Sequence, residues 1–220
     1  MNSTTSQEPM PGFIYLASQS PRRRQLLEQI GVRFELLLPG SDEDAEALEA
    51  VLAGEAPEAY VERVTRAKLD AARARLKRRG LAPAPILAAD TTVAIGRSIL
   101  GKPADAQEAR DMLARLSGRT HRVISGVAVA ASAAPRALVL SALNITRVRF
   151  RPVSAAEIAA YVQSGEPMGK AGAYAIQSAA SAWVERIEGS YSGVMGLPLF
   201  ETSQLLAQVR ARVRLQKPRR

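Results

Sequence analysis

Three arginines follow a serine and a proline in the segment Ser20-Pro21-Arg22-Arg23-Arg24, directly after a short apolar run. Apolar residues at helical spacing after Pro21 predict a helix with Ser20 as its N-cap. The helix dipole disfavours each cation in the first turn by about 0.3–1 kcal/mol. Free backbone N–H groups and guanidinium groups at such an end can bind phosphate. The pattern therefore predicts a phosphate site, and the alternative is a solvated face that binds nothing.

A single carboxylate, Asp90, lies in the middle of the apolar run 87–95. A charge in a buried strand is costly unless it is paired, binds a metal or faces a cleft. We therefore expect Asp90 to accept a proton from water or to hold a metal that activates water. The alternative is a structural acid that caps a turn or pairs with an arginine.

Lysine is rare in this chain, which has five lysines against 25 arginines. Lys68, Lys102 and Lys170 lie in or beside the segments that could do chemistry, which indicates a need for the compact ammonium group there. Lys68 falls on the apolar face of a predicted helix over 57–79, where it either reaches a ligand or extends to solvent. Lys170 belongs to the glycine-rich loop 165–172, whose backbone a ligand can approach closely.

An acidic loop holding Asp42, Glu43 and Asp44 precedes that helix. Oxygen ligands beside a phosphate site suit magnesium, which binds one or two carboxylates together with substrate phosphates and water. A loop that only confers solubility is the alternative. His121 is the only histidine, so a histidine-based metal cluster is excluded. Because it follows a helix end and opens a strand, we expect a structural hydrogen bond from it.

Length and composition allow one large domain or two joined lobes, since 47% of the 220 residues are hydrophobic. No uncharged apolar stretch is long enough to span a membrane, and the polar N-terminus does not have the order of a signal peptide. The chain has no cysteine and neither a Walker nor a dinucleotide-binding glycine motif. These features argue against thiol, kinase-like and dehydrogenase chemistry, and the cytoplasm is the expected compartment.

The net charge of +9 comes largely from the C-terminus, where residues 210–220 hold six of the thirty basic residues and no acid. A second basic run over 73–79 ends the predicted helix, where the dipole favours cations, and we expect it to be solvated. Few aromatic residues are near it to stack on bases. We therefore expect no nucleic-acid partner and no membrane partner.

Helices and strands alternate along the chain. Strands are predicted over 13–17, 34–38 and 87–95, and a hairpin over 123–131 and 137–150 indicates a mixed sheet. Helices are predicted to begin near Pro57 and, with capping-box signals, at Asp105 and Ser154. A short strand is predicted to end at Gln177, and a last helix covers about 200–214. The fold class is α/β, with an elongated central sheet flanked by helices. Residues 1–12 are predicted to be a disordered extension, 13–208 the domain and 209–220 a basic tail.

Seven segments of the chain resemble, in order, the signature blocks of the Maf-like nucleotide pyrophosphatases, related in fold to inosine triphosphatase. They are Leu16–Arg23, Ala89–Thr91, Gly101–Pro103, Leu116–Val123, Lys170–Gln177, Gly189–Tyr191 and Gly196–Leu199. The resemblance implies two lobes around a nucleotide-binding cleft. It also implies hydrolysis of a nucleoside triphosphate between the α and β phosphates with a divalent metal, magnesium or manganese. Arg22 after the proline and the Thr91 and Gln177 positions resemble the branch that acts on dTTP and UTP, although Ser178 stands where that branch usually has glycine.

The resemblance assigns roles to individual residues of this sequence. Asp90 is the expected catalytic residue, and Glu43 and Asp90 are the expected metal ligands. The expected phosphate ligands are Ser18, Arg22, Arg23, Lys68 and Lys102. Arg22, Thr91 and Gln177 are expected to select the base. The partner is then a nucleoside triphosphate, with a homodimer left open, and the competing hypothesis is a non-catalytic nucleotide-binding regulator of septum formation.

Overall fold

The computed structural model describes residues 12–215, with side chains described to residue 212. The predicted N-terminal extension therefore lies almost entirely outside the described residues, as does the end of the predicted basic tail. The last helix continues across the predicted boundary at residue 209, and Val209 on this helix is fully buried.

A mixed sheet of seven strands forms the centre of the protein, in the order β2-β1-β3-β5-β6-β7 with β4 also paired to β3. The strands are β1 (Ile14–Leu16), β2 (Phe34–Leu36), β3 (Ile86–Ile95), β4 (Ser98–Leu100), β5 (Thr120–Ala130), β6 (Val139–Phe150) and β7 (Val184–Glu188). β1 is parallel to β2 and β3, and the other pairs are antiparallel. The predicted mixed sheet and its hairpin, now β5 and β6, are confirmed.

Helices cover both faces of this sheet. They are α1 (Pro21–Gln29), α2 (Pro57–Arg78), α3 (Ala106–Leu116), α4 (Ala155–Gln163), α5 (Tyr191–Met195) and α6 (Leu199–Leu215). α2 packs alone on one face, while α1, α3, α4 and α6 share the larger apolar core on the other. No helix within residues 12–215 is long and apolar enough to cross a membrane.

The edge of β3 that faces β1 is interrupted in its middle. β1 pairs only with Ile86 and Leu87, and β4 pairs along the same edge with Val93 to Ile95. Among the described residues, no strand covers this edge over 88–92. The other edge of β3 is paired with β5 along nearly its whole length. The strand is therefore held firmly on one side and open on the other, where Asp90 lies.

The predicted helix starts are confirmed, three of them by side-chain caps, while α2 begins at Pro57 without one. Ser20 caps α1 through a hydrogen bond from the backbone of Arg23. Asp105 caps α3, and Ser154 begins α4 with a complete capping box to Glu157. These caps form within a few residues of sequence, which explains why local patterns predict them.

The predicted strand ending at Gln177 is wrong, because this segment forms a 3-10 turn over Ala171–Ala173 followed by another turn. Gly172 and Ala173 both have positive φ angles, which interrupt an extended backbone. A Cβ at Gly172 would lie 2.7 Å from the side chain of Val93. The loop therefore packs directly on β3, a long-range contact that no local pattern predicts. β4 and β7 were not predicted.

His121 has the structural role that its position predicts. Its Nε2 lies 2.8 Å from the hydroxyl of Tyr174, and its ring packs edge-on against Phe150. Burial lowers the pKa of His121 from 6.5 to about 4. The imidazole is therefore neutral in the folded protein at neutral pH.

This burial makes the stability of the fold depend on pH. Because the unfolded chain binds a proton at His121 below about pH 6.5 and the folded one only near pH 4, stability is lost as the pH falls through this window. The His121→Gln variant keeps a hydrogen-bonding group but does not titrate. Between pH 7 and 4.5, we expect the free energy of unfolding in urea to fall by about 2–3 kcal/mol more in the unmodified protein than in the variant. Equal losses of stability in the two proteins would contradict the lowered pKa of His121.

Candidate active site

A cleft of about 820 Å³ opens at the interrupted edge of β3. Its walls come from the segment between β1 and α1, the acidic loop, the inner face of α2 and the loops after β4 and before α6. Ser18 follows the end of β1, and Lys102 follows the end of β4. The two strand ends that leave the gap therefore also supply side chains to it, as expected for a site at the ends of sheet strands.

The first two arginines of α1 are oriented by the end of another helix. Arg22 donates through Nε to the carbonyl of Met195 at 3.3 Å, and Arg23 donates through Nε to the carbonyl of Gly196 at 2.8 Å. Arg23 also donates to the hydroxyl of Ser18 at 3.0 Å. The carbonyls at the C-terminus of α5 carry partial negative charge, which offsets the unfavourable N-terminus of α1. Burial lowers the pKa of Arg23, while Asp90 acts to raise it.

Asp90 lies at one end of an alternating row of charges. Lys68 Nζ donates to Asp90 Oδ1 at 2.6 Å and to Glu49 Oε1 at 2.7 Å. Lys102 Nζ donates to Glu49 Oε2 at 2.7 Å. We call Asp90, Lys68, Glu49 and Lys102 the charge row. Lys68 therefore extends to Asp90 and Glu49 and not to solvent, and its role as a phosphate ligand stays a prediction.

Thr91 and Asp90 point to opposite faces of β3, since side chains alternate along a strand. Asp90 faces α2, and the hydroxyl of Thr91 lies 2.8 Å from that of Ser125 on the other face. Both residues still line the cleft, because it opens where the edge of the strand is uncovered. The strand thereby presents a carboxylate on one side and a neutral hydroxyl on the other.

Gln177 is the one predicted site residue that does not line the cleft; its side chain is exposed. The neighbouring Ile176 does line it. Ser178, which replaces the usual glycine, has an extended backbone with φ −108° that any residue can adopt. Its hydroxyl donates to the carbonyl of Ala175 at 2.9 Å and lies 3.0 Å from the hydroxyl of Tyr161. Ser178 thus closes the turn that carries Gln177, and the selection role of Gln177 stays a prediction.

Glu43 lines the cleft but is already paired with arginines of α2. Its carboxylate accepts from Arg75 at 2.6–3.1 Å and from Arg78 at 2.8 Å. The hydrogen bonds from Arg75 lower the pKa of Glu43 to about 2. The expectation that the basic run over 73–79 is solvated is wrong for Arg75, whose side chain is only 5% exposed. Its position seven residues after Lys68 on the same helix face could have indicated this.

Glu49 and Lys170 also line the cleft, and neither received a role from the sequence. Glu49 bridges Lys68 and Lys102, but its acidic neighbours in a polar loop gave no signal that singled it out. Lys170 lines the cleft near Arg22, and burial together with that arginine lowers its pKa. The rarity of lysine in this chain had already singled out Lys170, without assigning it a role.

The carboxylates of the cleft suit a metal that takes few protein ligands. Within the described residues, no group of three or more histidines or acids could hold a metal alone. Asp90 Oδ1 already lies 2.6 Å from one cation, the ammonium nitrogen of Lys68, so this carboxylate can accept a positive charge beside it. Magnesium binds through one or two carboxylates with substrate phosphates and water. The donor set fits this mode, with Asp90 at the uncovered edge of β3 and Glu43 available only if its arginine pairs open.

Cations surround one buried carboxylate in this cleft, at the open edge of a mixed α/β sheet. The chain belongs to the Maf-like family: the model of that family described as "Maf-like protein" matches residues 13–209. The resemblance of its sequence blocks is thereby confirmed.

Similar proteins share nearly the whole length of this chain. A protein named dTTP/UTP pyrophosphatase from Polaromonas sp. is 63% identical over 198 residues, which cover 90% of this chain and 96% of the relative. Proteins of the same name from Cupriavidus metallidurans and Burkholderia pseudomallei are each 62% identical. These matches cover 90% of this chain and 98% and 94% of the two relatives.

The ion pair between Arg75 and Glu43 is expected to stabilise the wall of the cleft. Arg75→Met leaves Glu43 with Arg78 and the backbone of Gly40, and leaves the carbonyl of Leu37 without its donor. We expect the free energy of unfolding to fall by about 2 kcal/mol. The matched control is Arg78→Ala, which removes the exposed partner and should cost less than about 1 kcal/mol. Urea unfolding measures both, and equal costs would contradict the structural role of Arg75.

Proposed function

We propose that this chain hydrolyses dTTP and UTP to the nucleoside monophosphate and pyrophosphate. The observation that carries the proposal is Asp90, a single carboxylate beside Lys68 in a cleft that also holds Arg22, Arg23 and Lys102. A triphosphate needs several cations, and its hydrolysis needs one group that accepts a proton. The name shared by relatives about 62% identical over most of both chains supports the same substrates.

In the proposed reaction a water attacks the α-phosphorus, and the bond from this phosphorus to the oxygen that bridges to the β-phosphorus breaks. Pyrophosphate leaves with the electron pair of that bond. Arg22, Arg23, Lys68 and Lys102 neutralise the phosphate oxygens, and Ser18 orients Arg23 through its hydroxyl. Asp90 accepts the proton of the attacking water, or holds the metal that promotes its loss.

The proposal includes a divalent metal, magnesium or manganese. Such an ion supplies Lewis-acid stabilisation of phosphate charge and lowers the pKa of a bound water. Asp90 is the first candidate ligand, and Glu43 is the second. For Glu43 this role requires release from Arg75, whose hydrogen bonds lower the pKa of Glu43. The cytoplasm and the homodimer stay predictions of the sequence.

Pyrophosphate release from a panel of nucleoside triphosphates, with magnesium and with a chelator, tests the proposal. Asp90→Asn should bind nucleotide but lower kcat by about 10²–10⁴, the usual contribution of a positioned proton acceptor. Asp70→Asn is the control, because this acid, like Asp90, is paired with cations of α2 but is exposed to solvent. A non-catalytic nucleotide-binding regulator, the competing function, would bind the triphosphates and release no pyrophosphate. Near-normal turnover by Asp90→Asn would overturn the mechanism.

Base selection is expected to depend on the hydroxyl of Thr91. Uracil and thymine present acceptor, donor and acceptor groups along one edge, whereas cytosine presents an amino donor. Thr91→Ala should narrow the ratio of kcat/KM for UTP over CTP by about fivefold to thirtyfold, corresponding to 1–2 kcal/mol. Thr91→Ser keeps the hydroxyl and should keep the ratio.

The predicted role of Gln177 is tested in the same assay, since Gln177→Ala should narrow this ratio only if the exposed turn closes over the base. Similar rates of the unmodified protein on CTP, GTP and UTP would remove the substrate assignment.

A further inference from the structure

Glu49 holds both lysines that the proposed function assigns to substrate phosphates. Its two carboxylate oxygens accept from two different ammonium groups, Lys68 and Lys102, each at 2.7 Å. Bridging of two cations by the oxygens of one anionic group is also what a phosphate does in such a cleft. Burial acts to raise the pKa of Glu49, but the two lysines outweigh it and the pKa lies below its usual value. Glu49 is therefore an anion at neutral pH.

The segment that carries Glu49 is tethered at two adjacent carbonyls but is otherwise weakly packed. Tyr60 donates to the carbonyl of Glu49 at 2.9 Å, and Arg63 donates to the carbonyl of Ala50 at 2.8 Å. None of the residues in the 3-10 turn Ala47–Glu49 is buried. Val51 and Leu52, the next apolar residues, are each more than half exposed. Few buried contacts oppose a local opening here.

We propose that Glu49 is an internal substitute for a substrate phosphate. Its carboxylate binds Lys68 and Lys102 in the free protein, and a triphosphate displaces it. The segment 47–52 then moves with its side chain and opens the cleft. This inference rests on the proposed roles of the two lysines. Glu49 then competes with the substrate. The apparent affinity for the triphosphate equals the affinity of the open form multiplied by the fraction of molecules in which the lysines are free.

The charge row explains why a competing carboxylate is useful in the free protein. Without Glu49, Lys102 would have no carboxylate partner among the described residues, and Lys68 would have only Asp90. Like-charged groups repel at short range, and Arg23 with Lys68 already places two cations near Asp90. The bridge by Glu49 offsets this repulsion until phosphate oxygens replace it.

Binding of inorganic pyrophosphate, measured by titration calorimetry in the presence of a chelator, tests the proposal without any turnover. We expect Glu49→Gln to bind pyrophosphate about tenfold more tightly than the unmodified protein. This factor corresponds to an unmodified protein in which the closed form, with Glu49 on the lysines, is about ten times more populated than the open form. Glu46→Gln is the matched control, because Glu46 lines the same cleft, is exposed, directly precedes the turn and contacts neither lysine. It removes the same charge without freeing a lysine and should tighten binding much less than Glu49→Gln. Thermal unfolding of each variant verifies the fold.

Three outcomes would overturn the proposal. Unchanged or weaker pyrophosphate binding by Glu49→Gln would show that Glu49 does not compete. Equally tighter pyrophosphate binding by Glu46→Gln would show that the loss of one negative charge, and not the loss of competition, causes the effect. Weaker binding by Glu49→Gln only when magnesium is present would make Glu49 a metal ligand instead.

Hydrogen exchange gives a second measurement, in which pyrophosphate should lower the protection of amides in 47–52 of the unmodified protein. Unchanged or increased protection would also count against displacement. Because none of these measurements needs hydrolysis, failure of the proposed reaction would be visible separately, as absence of pyrophosphate release from triphosphates.

Discussion

The site depends on one constraint, a carboxylate placed in the middle of a strand that is otherwise buried. Asp90 would be too costly there without a partner and without an opening. The fold supplies both: β1 and β4 leave the edge of β3 uncovered around it, and Lys68 of α2 reaches it from one face. Through the same opening, Thr91 on the opposite face of β3 also lines the cleft. The cleft is thus a direct consequence of two short strands that share one edge and do not meet.

The cations of the cleft are held by groups that are distant in the sequence. Arg22 and Arg23 sit at a helix end that disfavours them, yet carbonyls of Met195 and Gly196, more than 170 residues further along, accept their hydrogen bonds. The C-terminus of one short helix thereby orients cations at the N-terminus of another. Since guanidinium groups have several donors, Nε can be fixed by the protein while other N–H groups remain for a ligand.

The acidic segment between β2 and α2 pairs with a different set of cations, those of α2 and of the loop after β4. Glu43 is held by Arg75 and Arg78, and Glu49 by Lys68 and Lys102. The two groups differ in the burial of their inner cation: Arg75, which binds Glu43, is 5% exposed, whereas Lys68, which binds Glu49, is 18% exposed. The outer cations, Arg78 and Lys102, are 53% and 46% exposed. Buried pairs resist separation because each partner would be left uncompensated, and exposed pairs separate easily. This contrast makes Glu43 part of the wall and Glu49 the element that a substrate can displace.

The sequence alone determined the features that local chemistry controls. The caps at Ser20, Asp105 and Ser154, the hairpin, and the unusual acid at Asp90 were all readable because each depends on a few neighbouring residues or on one periodic pattern. The ordered blocks of the chain were also enough to indicate the family, which the match over residues 13–209 confirms.

The tertiary structure decided what depends on residues far apart in sequence. The burial of Arg75, the bridge made by Glu49 and the turn in place of a strand before Gln177 arise from contacts with other elements. An acid in a polar loop has no local signature of its partner, because the partner lies on another element brought close only by folding. The sequence therefore specified which residues could do chemistry, and the fold determined which of them meet, since pairing energy depends on distance and burial.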